Sequence, residues 1–261
     1  MLLGGLQYCL GAASGVIVGF SLGLVGGGGS ILAVPLIVYV VGVSDPHRAV
    51  GTSALAVAAN AIAGLVSHAR GGTVRWRVAG LFAASGIAGA WVGSLGGKAL
   101  AGPRLLGCFA VLMLLVGVMI LRGRPPEADA GTSAARASTA RLAGLGALTG
   151  AVSGFFGIGG GLLIVPGLMY AARLPILEAV SSSLVAVAAF GLTTAVNYAR
   201  AGWIDWPLAA VFVVGGTLGG IAGTRLARHL AGRRRALNRV FALVVFAVAL
   251  YIIYRSATGG P

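Results

Sequence analysis

Apolar residues recur along this chain in blocks of about 17 to 25, the length a helix needs to cross ~30 Å of hydrocarbon. In the first half the blocks fall at roughly 6 to 43 (interrupted), 48 to 68, 76 to 97 and 104 to 121. In the second half they fall at roughly 142 to 172, 177 to 198, 206 to 227 and 236 to 254. The pattern predicts an all-α polytopic membrane protein. The long element that opens each half is broken by glycine: Gly26 to Gly29 in the first, and Gly157, Gly159, Gly160 and Gly161 in the second. Residues 6 to 25 almost suffice to span, whereas residues 30 to 43 give about 14 helical residues, or ~21 Å at 1.5 Å each. Segments that short are often re-entrant. Each half is therefore expected to hold a glycine-broken re-entrant helical hairpin plus three transmembrane helices.

The two halves are copies. GVIVGFSLGLVGGGGSILAVP (15 to 35) aligns without gaps to GALTGAVSGFFGIGGGLLIVP (146 to 166), so that Gly15, Gly19, Gly23, Gly28, Gly29 and Pro35 meet Gly146, Gly150, Gly154, Gly159, Gly160 and Pro166. After a one-residue slip, AVGTSALAVAAN (49 to 60) meets AVSSSLVAVAAF (179 to 190). Gly72, Trp76, Gly86, Gly89 and Gly93 then meet Gly202, Trp206, Gly216, Gly219 and Gly223. Apolar composition produces chance Ala and Val matches, but not a shared Gly/Pro/Trp skeleton; internal repetition of this kind sets the architecture. The chain divides into an N-terminal membrane repeat (1–122), a cytoplasmic linker (123–140) rich in Pro, Gly, Ser, Thr, Ala and charge, and a C-terminal membrane repeat (141–261).

Composition fits the same class. Apolar residues make up 58% of the chain and charged residues 9%, against about 25% charged in a soluble domain. So few charges cannot cover a globule in water. The 45 glycines suit helices that approach closely in lipid. No basic stretch precedes the first apolar block, which reads as a membrane helix rather than a cleaved signal peptide. Cys9 and Cys108 form no CxxC pair and read as packing residues.

The formal charge of +14 would point to nucleic acid in a soluble protein. Here the Lys and Arg residues lie between apolar blocks, where they orient the chain, so no nucleic-acid partner is expected. If each interrupted element crosses once, the basic residues divide ten against nine between the two sides. If each forms a returning hairpin, Arg70, Arg75, Arg77, Arg122, Arg124, Arg136, Arg141, Arg173 and the six arginines from Arg225 to Arg239 share one side, fourteen against five. Only the second division gives the expected cytoplasmic excess. It leaves three further crossings per half, an odd number, so the repeats are inverted, as in many transporters with broken helices. Both termini are then extracytoplasmic. The triplet Arg233-Arg234-Arg235 fixes topology, with anionic-lipid binding as a second role.

Chemistry at membrane depth is sparse. The five acidic residues (Asp45, Glu127, Asp129, Glu178 and Asp205) and the three histidines (His47, His68 and His229) all fall at predicted helix ends or in the linker. Cation and proton carriers keep ionisable groups inside the membrane. Their absence argues against a metal-cation transporter and a carboxylate proton relay. An intramembrane hydrolase is also disfavoured, since no histidine is placed to activate a buried serine. No catalytic residue, metal ligand or cofactor is expected.

Backbone and hydroxyl groups remain. A glycine-rich break frees N–H groups, which successive glycines can gather into a concavity that favours anions. The helix that follows aims its positive dipole end at the same place. The candidate substrate-binding residues are Gly27, Gly28, Gly29 and Ser30 in the first break and Gly159, Gly160 and Gly161 in the second. Thr52 and Ser53, with Ser182 and Ser183, form a matched hydroxyl cluster just inside the next helix of each half. Those hydroxyls either complete an anion's hydrogen bonding or join helices. Asn60, replaced by Phe190 in the other half, either orients a non-symmetric substrate or makes one interhelical bond, and the second reading is preferred. Asn197, beside Tyr198 and Arg200, reads as interfacial. Tight packing is the alternative role for the glycines. GFFGIGGG (154 to 161) has dinucleotide-fingerprint spacing but no βαβ context, so it is not read as one.

These paired glycine breaks followed by Val-Pro (Gly23 to Pro35, Gly154 to Pro166), with the Ala-Val-Gly-Thr-Ser and Ala-Val-Ser-Ser-Ser stretches, resemble the TauE/SafE family of sulfite and organosulfonate exporters over essentially the whole chain. The resemblance implies a multi-pass permease of the bacterial inner (plasma) membrane for small sulfur-containing anions or related carboxylated compounds. The expected function is passage of a small anion such as sulfite, thiosulfate or an organosulfonate between two opposed breaks. The expected partners are that anion and the lipid bilayer, and a homodimer is left open. A non-transporting assembly protein and ion-coupled uptake of a carboxylate or sulfonate are the competing readings.

Overall fold

The computed structural model describes residues 4–25, 27–122, 138–229 and 234–257. Gly26 of the first break, residues 123–137 of the expected linker, and Arg233 lie outside the described residues. All regular structure among the described residues is helical. The first half comprises α1 (Gly5–Val25), an irregular α2 (residues 27–40), α3 (Pro46–Arg70), α4 (Trp76–Ala99) and α5 (Gly102–Arg122). The second comprises α6 (Thr139–Phe156), α7 (Gly161–Ala172), α8 (Ile176–Arg200), α9 (Trp206–His229) and α10 (Arg234–Ala257). Thr139 and Ala140, read from sequence as linker, form the first turn of α6. Six of these helices are long and apolar enough to cross a membrane: α1, α3, α4, α5, α8 and α9.

Local chemistry sets the ends. Asp45 caps α3 by accepting the His47 N–H at 2.9 Å, with Pro46 at the first helical position, where its missing N–H costs nothing. Helices α3 and α8 close in matching turns, with Gly72 and Gly202 at φ +66° and +73°. These angles suit glycine, which has no Cβ to clash. Pro35 and Pro166 occupy equivalent places but act differently. Pro166 sits inside a regular α7, whereas α2 is 3-10 over Gly27–Leu32, α over Ala33–Pro35 and π over Leu36–Val40. Proline removes a backbone donor from the ladder, and the wider π turn follows it directly.

Packing joins the halves by exchange. Helix α1 packs chiefly on α9, and its counterpart α6 packs chiefly on α4. Gly15, Gly19 and Gly23 lie against the backbones of Phe212, Gly216 and Gly220. Their repeat partners Gly146, Gly150 and Gly154 lie against Phe82, Gly86 and Ala90, the partners of those same α9 residues. A side chain at any of these six glycines would overlap main chain. The apolar driving force between helices is weak in lipid, so association rests on such close approach.

The same contacts give chain directions. Residue numbers rise together along α1 and α9, and along α6 and α4, so those pairs run parallel. The bonds of Asp205 with Thr52 and of Thr217 with Asn60 make α3 parallel to α9. Contacts of Gly191 with Ala54 and Ala58, and of Gly64 with Leu184, make α3 antiparallel to α8. Because α1 and α3 both run with α9, α2 must carry the chain back. The Gln7 side chain at the start of α1 accordingly donates to the Val41 carbonyl at 3.1 Å.

Polarity is inverted relative to a soluble domain. Val92, Leu115, Val214 and Leu218 are each more than half exposed, while Ser30, Thr52, Ser53, Ser153, Ser181, Ser182, Ser183 and Thr194 are buried. Among the described side chains no Asp, Glu, Lys, Arg or His is buried.

Candidate functional site

Inside the bundle, α7, which follows the second break, packs against the 3-10 part of α2 that forms the first. Gly159 sits between Val57 of α3 and Val187 of α8, which are equivalent residues of the two repeats. The breaks are alike in sequence and different in conformation. Gly27, Gly28, Gly29 and Ser30 all lie in the right-handed 3-10 stretch, with Gly28, Gly29 and Ser30 buried. In the second half, Gly157, Gly159 and Gly160 adopt φ of +68°, +64° and +67°, a region open to glycine and strained for other residues. Gly157 ends α6 as a left-handed cap, donating to the Ser153 carbonyl at 2.8 Å, a standard helix stop. Gly161 then begins α7.

This turn leaves donors free. Among the described residues, the backbone N–H groups of Gly159 and Gly160 reach no backbone acceptor. Unpaired buried amides cost free energy comparable to a lost hydrogen bond, and more in a hydrocarbon setting. The Ser153 hydroxyl, on the last turn of α6, is fully buried and also without a partner. A Cβ placed on Gly160 would lie 3.0 Å from its Oγ. The positive end of the twelve-residue α7 faces the same place. Such a group of donors suits an anion.

The matched hydroxyls fall into two kinds. Thr52 Oγ1 accepts the Asp205 N–H at 3.0 Å, and Ser182 Oγ accepts the Arg75 N–H at 2.9 Å. Each thereby holds the residue just before a helix of the other half. Ser53 donates to the carbonyls of Val50 at 2.9 Å and Gly157 at 3.3 Å, tying α3 to the second break. Ser183 donates to the Val180 carbonyl at 2.8 Å.

Asn60 packs against Gly216, accepts from Thr217 at 3.2 Å, and leaves its Nδ2 without a partner. Phe190 fills the equivalent place against Gly86. The preferred interhelical bond is present. Asn197 is buried, donates to Ser94 at 2.6 Å and accepts from Lys98 Nζ at 2.8 Å. One acceptor and one donor on α4 hold the amide inward, within one turn of the helix end. Near the opposite helix ends, Arg75 makes a two-pronged pair with Glu178, both bonds 2.7 Å.

Sequence reasoning missed Ser153. The signal was present in the repeat alignment, where Ser153 meets Leu22. It was obscured because serine is common on helices packed in lipid.

Residues 11–252 match the family model for sulfite exporter TauE/SafE. A "Probable membrane transporter protein" of Xylella fastidiosa (strain 9a5c) is 53% identical, covering 93% of this chain and 94% of its own length. "Probable membrane transporter protein YunE" of Bacillus subtilis (strain 168) is 24% identical over 92% of this chain and 95% of its own length. "Probable membrane transporter protein MJ0441" of Methanocaldococcus jannaschii is 26% identical over 76% of this chain and 80% of its own length. No solved structure matches the chain.

Proposed function

The chain belongs to the sulfite exporter TauE/SafE family of membrane transporters, and from that premise we propose that it is a bacterial inner-membrane permease for a small oxyanion. Sulfite, thiosulfate and small organosulfonates are the substrate class. The observation that carries this reading is the unpaired N–H groups of Gly159 and Gly160, enclosed by a core with no buried Asp, Glu, Lys, Arg or His among the described side chains. An oxyanion supplies acceptors to those donors. A metal cation would find no carboxylate there.

The ion lies between the two breaks, bounded by Gly27 to Ser30 on one side and Gly159 to Gly161 on the other. Ser53 and Ser183 support the walls, whereas Thr52, Ser182 and Asn60 hold helices together. The antiparallel course of α3 and α8, which are equivalent helices, supports an inverted repeat with its two-fold axis in the membrane plane. The arginine excess then places the turns at 71–75 and 173–175 in the cytoplasm. Export requires no coupling ion: with the inside negative, each negative charge that leaves gains ~2.3 kcal/mol per 100 mV.

Calorimetric titration of detergent-solubilised protein with sulfite, thiosulfate, taurine, a divalent cation and a neutral solute tests the class. Saturable binding of at least one oxyanion, without cation binding, is expected. Binding confined to the cation or the neutral solute would overturn the proposal.

A further inference from the structure

Resting on that reading, we infer that the two halves contribute unequally to the anion site, and that the Ser153 hydroxyl is a direct substrate donor that the first half lacks. Ser153 is fully buried, its oxygen is unpaired, and it faces Gly160 beside the free N–H groups of the second break. A serine on a helix normally finds the carbonyl one turn back, as Thr149 and Thr194 do here. Ser153 makes no such bond, so its proton is available to an acceptor that enters the break. At the equivalent place in the first half stands Leu22, whose backbone packs against Gly29. That half offers no hydroxyl there, and its Gly28 and Gly29 lie in a right-handed 3-10 turn where their counterparts Gly159 and Gly160 are left-handed.

The substrate is therefore anchored by the second half. One oxygen of the oxyanion accepts from Ser153 and the neighbouring amides of Gly159 and Gly160, while the first half closes over the opposite face. A pyramidal or tetrahedral oxyanion suits this arrangement, since one oxygen takes the hydroxyl and amides and the rest of the ion faces α2.

The test pairs affinity with stability. A hydroxyl kept only for packing is a buried unsatisfied group, and its removal costs nothing or stabilises. Ser153→Ala is expected to weaken sulfite binding by about tenfold or more, the typical loss for a hydrogen bond to a charged group. The melting temperature without ligand should stay the same or rise. Ser153→Cys keeps the size with a weaker donor, and should fall between the two. Sulfite affinity in a folded Ser153→Ala protein within about twofold of the unsubstituted protein would overturn the inference while leaving the oxyanion proposal intact. If the unsubstituted protein binds none of the oxyanions, the proposal itself fails, and the inference with it.

Discussion

The side-chain oxygen of Thr52 accepts the backbone N–H of Asp205 at 3.0 Å, and the same bond recurs between Ser182 and Arg75 at 2.9 Å. Asp205 and Arg75 immediately precede α9 and α4. Each hydroxyl therefore satisfies an amide at the start of a helix from the opposite half. Thr52→Val and Ser182→Ala should each cost about 0.5–1.5 kcal/mol, the net value of one ordinary hydrogen bond. Oxyanion affinity should stay within about twofold. Thermal unfolding and titration on the same preparations check both parts. A tenfold affinity loss with unchanged melting would move these hydroxyls into the site.

The glycine crossings predict paired sensitivity. Gly19 and Gly150 meet the main chains of Gly216 and Gly86, so alanine has no room and both backbones must shift. Gly19→Ala and Gly150→Ala should each destabilise by about 1–3 kcal/mol, as overpacking does, and by similar amounts. Gly107→Ala and Gly144→Ala, where nothing lies within reach of a Cβ, should not lower the melting temperature in detergent. Unequal effects at Gly19 and Gly150 would break the exchange relation between the halves.

Much of this organisation was legible in the letters. The repeat alignment anticipated which glycines correspond, and the apolar blocks anticipated every helix to within a few residues. Helix partners were not legible, because lipid-facing and core-facing positions are both apolar and periodicity separates them poorly. The alignment of Gly28 and Gly29 with Gly159 and Gly160 also concealed that only the second pair turns left-handed, a difference carried by backbone angles rather than residue type. The partners of Asn197 were not legible for a related reason: nothing in the letters tied it to Lys98 and Ser94 on α4.

Asn60 should be dispensable for transport. Its Nδ2 is unpaired and its Oδ1 shares the Thr217 hydroxyl with the Val213 carbonyl. Asn60→Leu keeps the volume against Gly216 and removes an unsatisfied group, so stability should change little. Sulfite affinity should stay within about twofold in the same titration. A large loss of affinity in a folded Asn60→Leu protein would give this residue a substrate contact.

Sidedness follows from the hairpins. Ala201 lies in the turn after α8, and Arg70 ends α3 at the other side of the bundle; both are exposed. In a protein without Cys9 and Cys108, an impermeant thiol reagent added to intact cells should label Ala201→Cys and spare Arg70→Cys. Labelling of both positions would overturn the inverted topology, and labelling of Arg70→Cys alone would reverse the sidedness.

Sulfite flux from proteoliposomes with the membrane potential clamped tests the central claim most directly. The account predicts saturable efflux that accelerates as the inside becomes more negative and reverses with the sign of the potential. The driving force should change by ~2.3 kcal/mol per charge for each 100 mV. Gly159→Leu places a side chain at φ +64° against Val57 and Val187, and should abolish the flux in protein that remains monodisperse. Flux absent for sulfite, thiosulfate and organosulfonates alike, or unchanged in a well-folded Gly159→Leu variant, would contradict an anion pathway between the glycine breaks.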